Sequence, residues 1–454
     1  MISASRENRL EKKGRNEMIG RRTLLCTAVG VLAAAMLATG ASSMEGAGKD
    51  GAVRLLSTVP IPATKTNTTA GKMYVFDISF VDQTTQTYYL ADRSNAVVDV
   101  VDARTNKLVS QISATPAFKG FTGTNATSGP NGVVAAFPWL FVSDANSRVV
   151  TIDLRNGKTV GDVSTGGAPG LRADEMAYDP KDGLLLAVNN ADTPPFATLI
   201  NVNKATGALT VVKRVTFDTI HTGVDATNGA EQPVWDPVSG KFYLSIPQIG
   251  TNVKDGAVIR ISTAGTVEVK YPIEFCQPAG LTLGPKVDLL VGCNTLFDTA
   301  GNVWDSTKDV TAAPIQVIID AWTGKIDAIV PGVGVGDEVW YNSGDGNYYT
   351  ASSTSPLRPT EVIGGTPLTA QGAAILGVID ARDQVVKQLV PTFNVPAVTT
   401  GPLAHAASTA HSVAANAGNN HVFVPLGANN AFPNCLTGCI AIFGTADTDH
   451  RAER

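Results

Sequence analysis

The sequence predicts an all-β chain: a seven-bladed β-propeller closed by an N-terminal strand that completes the last blade. Three observations predict it. A phrase recurs along the chain, made of an apolar strand, an Asp, Asn or Ser, a short turn rich in Thr, Asn and Gly, and a second apolar strand. The recurrence is spaced at about the length of one blade plus loop insertions. The composition is poor in charge (17%) and rich in Gly (44) and Pro (25) over 454 residues, which favours short strands and many turns over helices.

The phrase reads VVDVVDARTNKLVSQIS from Val97, VVTIDLRNGKTVGDVS from Val149 and TLINVNKATGALTVV from Thr198. It returns as AVIRISTAGTVEVK from Ala257, QVIIDAWTGKIDAIV from Gln316 and AILGVIDARDQVVKQLV from Ala374. The equivalent turn residues Asp102, Asp153, Asn203, Ser262, Asp320 and Asp380 are 51, 50, 59, 58 and 60 residues apart. Alternation at period two on both sides of each turn marks these as the outer hairpins of blades. An inner hairpin precedes each, as in EMAYDPKDGLLLAVNN from Glu175 and QPVWDPVSGKFYLSIPQ from Gln232, with Asp-Pro, Asp-Gly and Ser-Gly supplying the turns. The seventh blade starts at His411, continues through CIAIFGTAD from Cys439 and ends one strand short. The segment AVRLLSTVPIP from Ala52 resembles the final blade strands and supplies the missing one, removing the free edges of an open ring. The propeller is assigned to residues 44–447, with 448–454 as a disordered tail.

Residues 1–43 read as a signal peptide: a basic stretch ending in Arg21-Arg22, an apolar run from Leu24 to Leu37, then small residues to Ser43. Arg21-Arg22-Thr23-Leu24-Leu25 resembles a twin-arginine signal, although Gly20 precedes the pair and Leu24 replaces the usual Phe. Twin-arginine export and ordinary secretion both remain open. The apolar run is short for a membrane span, so no span is expected after cleavage. Beyond Cys26 the four cysteines form two close pairs, Cys276 with Cys293 across a hairpin and Cys435 with Cys439 in a tight loop. An even count in an exported chain favours two disulfides and a periplasmic or secreted location. Without residues 1–43 the chain holds 28 basic and 37 acidic residues, a net charge of −9, with no basic stripe for nucleic acid.

The segments YYLADRSNAVVDVVDARTNKLV and LFVSDANSRVVTIDLRNGKTV follow the YVTN-repeat pattern nearly end to end, and the chain resembles that propeller family over most of residues 52–445. The resemblance implies the fold and little about function, because such propellers serve as enzymes, binding modules and scaffolds.

In a propeller the innermost strands line an axial channel. Aligning them by their turns places one residue per blade at its mouth: Asp77, Asn131, Glu175, Gln232, Gln277, Glu338 and His411. All seven are polar on otherwise largely apolar strands, and Asp174, Glu231 and Asp337 directly precede ring positions. A second ring follows from strand ends, at Asp92, Asp144, Asn190, Gln248 and Asn294. Ring closure brings blades six, seven and one together, so Glu338 and His411 are the candidate catalytic pair, with Asp77 beside them. Asp77, Asn131, Glu175, Glu231, Gln232 and Gln277 are the candidate ligand-binding set. The propellers related to regucalcin and gluconolactonase are similar in architecture, and that likeness implies a cation held by a Glu and an Asn/Asp set. The residue types that correspond are Glu175, Asn190 and Glu338, without a match of local motifs. Carboxylate and amide oxygens suit calcium or manganese, and an added imidazole suits zinc.

The sequence holds no nucleophile elbow, phosphate loop, dinucleotide fingerprint or haem-attachment motif. Three function classes stay open. The first is an exported monomer that binds a small ligand or an envelope protein at the channel mouth. The second is a metal-dependent lactonase-like or esterase-like hydrolase, in which a carboxylate acts as general base on metal-bound water. The third is an accessory of an envelope redox system. The segments Pro116–Pro130 and Leu357–Gly372 read as long surface loops that lid the mouth or meet a partner. His405 and His421 read as loop and strand residues outside the site.

Overall fold

The computed structural model describes residues 51–297, 300–304, 315–334, 336–353 and 374–445, with the backbone of 362–363 and 366–367. The signal at 1–43 and the tail at 448–454 lie outside the described residues, as does most of Leu357–Gly372. Within that last segment Val362–Ile363 pairs with Thr366–Pro367, so a two-residue ladder stands where a loop is expected.

Seven four-stranded antiparallel sheets are present. Blade one comprises Ser79–Asp82, Thr87–Asp92, Val97–Asp102 and Lys107–Ile112, counted from the axis outward. Blades two to six repeat this order around the innermost strands Val133–Ala136, Met176–Asp179, Pro233–Asp236, Cys276–Leu283 and Gly336–Asn342. Blade seven joins the two ends of the chain. Ala414–Asn416, His421–Leu426 and Cys439–Gly444 receive Arg54–Pro60 as the outer strand, with Thr58 opposite Ala441 and Val59 opposite Ile440. The chain is a seven-bladed β-propeller.

The recurring turn residues have a common physical role. Asp102 Oδ1 accepts the backbone N–H of Arg104 at 2.9 Å, and Asp320 Oδ1 accepts those of Trp322 and Thr323 at 2.9 and 2.8 Å. Asn203 and Asp380 do the same for Ala205 and Arg382, each at 3.0 Å. The inner turns use the same device, as Asp82, Asp179 and Asp236 show. A short acceptor that bonds the backbone two residues on reverses the chain locally, which is why the repeat is so visible in sequence. In the blade-five turn, Gly324 has φ of 72°, and a Cβ there would meet the Tyr271 ring at 2.0 Å, so glycine is required.

The core is divided among the blade interfaces. Among the described residues, one apolar cluster lies between each pair of neighbours. Leu186 and Leu199 of blade three meet Phe242 and Ile259 of blade four, and Ile440 and Ile442 of blade seven meet Leu90 and Val101 of blade one. Each blade also carries a bulge between its third and outer strands, as at Val100/Val101 and Thr151/Ile152. These bulges increase the local twist that fits each sheet against the next.

Both expected disulfides are present, Cys276–Cys293 within blade five and Cys435–Cys439 in the last loop. The blade-five register sets Cys293 opposite Pro278 and Cys276 opposite Leu296, so the bridge runs diagonally across the pair of strands. Two such bridges fit an oxidising, non-cytosolic compartment. Among the described residues no helix is long and apolar enough to cross a membrane.

Candidate functional site

The backbone fixes which residues reach the axis. Asp77, Asn131, Asp174 and Glu231 each donate their N–H to the second strand of their blade, at Ala91, Ser143, Val188 and Ser245. The next residues, Ile78, Gly132, Glu175 and Gln232, each accept from the same four positions. The expected ring is therefore one residue out in blades three and four, and in blade six as well, where the pairing of Glu338 with Ala351 matches that of Ile78 with Ala91. Asp174, Glu231 and Asp337 are the counterparts of Asp77, while Glu175, Gln232 and Glu338 stand one step deeper. Because successive strand residues face opposite ways, a slip of one residue changes what a side chain meets.

Two chambers follow from these two steps. The polar one, about 530 Å³, is lined by Asp77, Asp174, Glu175, Glu231, Asp337 and Glu338, with Arg93, Arg172, Asn294 and His411. The other, about 740 Å³, is lined mainly by apolar side chains, and Ile78 and Glu175 belong to both. Asn125, from the Pro116–Pro130 loop, and Ala406–Thr409 also border the polar chamber. Tyr74 stacks on His405 with ring centroids 3.6 Å apart, fixing the neighbouring loops to one another.

Of the expected binding residues, Asp77, Glu175 and Glu231 meet in the polar chamber, together with the pair Glu338 and His411. The other three do not line it. Asn131 is fully buried, accepting from Arg93 Nε at 2.9 Å and donating to Ala173 O at 2.8 Å. Gln232 borders the apolar chamber and accepts the N–H of Leu281 at 2.6 Å. Gln277 donates to Val253 O at 2.7 Å, in a strand whose register shifts at Gln277/Pro278. Asn190 is turned to Glu231 Oε1 at 2.9 Å and does not line the polar chamber with Glu175 and Glu338. Of the second ring only Asn294 lines it; Asp92 bonds Asn95, Asp144 accepts from Lys119 N, and Gln248 donates to Gly250 O. Among the described residues, no group of three or more His, Cys, Asp or Glu side chains is arranged to hold a metal ion.

Two arginines that the sequence reading passed over organise the chamber. Arg93, 1% exposed, pairs with Asp77. Arg172 reaches the same Asp77 oxygen at 3.2 Å and Asp174 at 2.5 Å. A signal for both was available: Arg93 directly follows the strand-end Asp92, and Arg172 stands two residues before Asp174. His411 Nε2 lies 3.7 Å from Asp77 Oδ1, and its ring stacks on Phe76. The Ser412 hydroxyl lies within reach of Glu338 Oε2 at 3.1 Å and Ser79 Oγ at 2.8 Å, away from His411.

The electrostatics divide the carboxyls into two kinds. Burial works to raise Asp77, but Arg93, His411 and Arg172 outweigh it and hold the group below the usual range. Glu175 lies well above the ordinary value through burial, then through Glu338, Asp174 and Glu231. Glu338 is also far above it, through burial and then Asp77 and Asp337. Burial pushes Glu231 up to about 8, with Asp174 and Asp337 adding to it. Burial lowers His411, but Asp77 and Asp337 more than reverse this. Glu175 Oε2, Glu338 Oε1 and Arg172 Nε are buried with no hydrogen-bond partner. Such groups are destabilising unless something meets them.

No protein-family model matches the chain, and no curated protein matches it.

The chemistry of the chamber predicts a pH dependence of stability. An unfolded glutamate titrates near 4.5, whereas native Glu231 titrates near 8. Between those values the native chain holds a proton that the unfolded chain has released, so stability falls as pH rises through the window. Raised His411 acts in the same direction above 6.5. The melting temperature is expected to climb as pH is lowered from about 8.5 to about 5.5. A flat or opposite trend in thermal melts would show that these groups are not protonated in the native state.

Proposed function

We propose that this chain is an exported propeller of the YVTN-repeat kind that binds a small polar ligand in its axial chamber. The observation that carries the reading is the pair of carboxyl oxygens, Glu175 Oε2 and Glu338 Oε1, buried at the chamber without partners. A ligand hydroxyl or ammonium would satisfy both, and the surrounding walls leave about 530 Å³ for it. Arg93 and Arg172 keep Asp77 ionised as a fixed acceptor, and His411 supplies a donor beside it. The two disulfides and the signal-like residues 1–43 support a periplasmic or secreted setting.

The test is calorimetric titration of the mature domain with a panel of polyols, amino compounds and sugars. Glu338→Gln and Glu175→Gln are each expected to weaken a hit by about ten-fold or more, since a carboxyl that can ionise against a ligand cation, or share its proton with a ligand hydroxyl, becomes an amide. Unchanged affinity in both variants, at unchanged melting temperature, rules the chamber out as the binding site. A calcium, manganese or zinc ion would have to draw together donors that stand apart. A melting temperature that falls on adding EDTA, with one equivalent of metal released, would move the reading to a cation-dependent hydrolase.

A further inference from the structure

The second chamber carries an inference that rests on the axial-channel reading and extends it. Five aromatic side chains face this space: Phe80, Tyr178, Trp235, Trp340 and Tyr341. They come from blades one, three, four and six, and Phe80 meets Trp340 edge-on with centroids 5.5 Å apart. All five are half-buried, unlike the fully buried aromatics of the blade interfaces such as Phe242 and Tyr348. Each ring packs one side against a blade-interface cluster, as Trp235 does on Phe242 and Tyr341 on Tyr348, and leaves its other side open to an axial cavity of about 740 Å³.

At the inner end of this chamber stands Glu175. It is 7% exposed, borders both chambers and leaves Oε2 without a partner. No Lys, Arg or His lines the aromatic chamber among the described residues, so the carboxyl meets no basic group from that side. We infer that the ligand is amphipathic: an apolar body lies among the aromatic rings, and a single ammonium head reaches Glu175 at the junction of the chambers. Charge selects the head. Burial and neighbouring carboxyls hold Glu175 toward its neutral form. An ammonium supplies the positive charge that lets it ionise, gaining a charge-assisted bond there and attraction to the ring faces on its way, whereas an anion brings no such charge. The rings select the body, because each apolar area withdrawn from water adds to affinity.

Four probes test this on the mature domain: 3-phenylpropylammonium, propylammonium, 3-phenylpropanol and 3-phenylpropanoate. The first is expected to bind about ten-fold or more tightly than each of the others, and to change the fluorescence of Trp235 and Trp340. Glu175→Gln, which keeps shape and hydrogen bonding, removes the preference for the ammonium over the alcohol. Trp235→Leu weakens the phenyl probes and leaves propylammonium unchanged, so the inference stays testable even if the Glu175 variant does not fold. Equal binding of the alcohol overturns the ammonium head. Equal binding of propylammonium without a fluorescence change overturns the apolar body while leaving the polar chamber as the binding site. If none of the four binds, the inference falls, and the panel titration decides separately whether the polar chamber binds anything.

Discussion

Arg93→Ala is expected to lower the unfolding free energy by about 3 kcal/mol or somewhat more, the range for stripping one partner from a buried ion pair. The Arg93 guanidinium is 1% exposed and holds both Asp77 and the Asn131 amide oxygen. Without it Asp77 keeps Arg172 at 3.2 Å and His411 at 3.7 Å, which places the loss at the low end of that range. The double variant Asp77→Asn with Arg93→Met is expected to recover much of the loss, because it removes the charge that the single variant leaves behind. Urea denaturation reads both. A single-variant loss under about 1 kcal/mol would mean that the pair does not organise the channel mouth.

Deleting residues 52–60 is the second large effect. Arg54–Pro60 is the outer strand of blade seven, and its removal exposes the backbone edge of Cys439–Gly444 over its whole length. It also uncovers Ile440 and Ile442, which share a cluster with Val59. The same segment is clamped sideways: Gln388 accepts from Val53 N and donates to Val53 O, each at 2.8 Å. An unpaired edge beside apolar surface invites pairing with other chains. The truncated domain is therefore expected to aggregate in size-exclusion chromatography and to lose its cooperative melt. A synthetic peptide of residues 52–63 added during refolding is expected to restore a monomeric fraction. A truncated domain that stays monomeric and melts within about 4 °C of the parent, a shift equivalent to roughly 1 kcal/mol or less, would show that ring closure does not depend on this strand.

The architecture was legible because one local device repeats. Asp102, Asp153, Asn203, Asp320 and Asp380 each turn the chain by bonding backbone two residues on, so the blade count follows from side chains whose action is short-range. The closing strand was legible because its pattern matches the strands it imitates. The bulges at Val100/Val101 and its counterparts left no mark, since an unpaired residue in a strand still alternates normally on either side. The site was misread in part for a simpler reason. Asp77, Asp174, Glu231, Asp337 and His411 all stand five residues before the inner-turn residues Asp82, Asp179, Asp236, Asn342 and Asn416. Glu175, Gln232 and Glu338 stand four before, so the expected ring mixes two registers. Arg93 was passed over for another reason. Its burial follows from Asp77 and Asn131 of two different blades converging on it, and that convergence is a property of the ring.

The strand at Arg54–Pro60 has a consequence for biosynthesis. It leaves the ribosome early, but its partner Cys439–Gly444 is made some 380 residues later. At about 5–20 residues per second, the interval is on the order of half a minute. Throughout that time Val59 and Ile61 have no cover from blade seven, and the strand's native partner does not yet exist. Completion of the circle is thus a late, long-range event, and a holding factor that shields the early strand would have its work near the start of the chain.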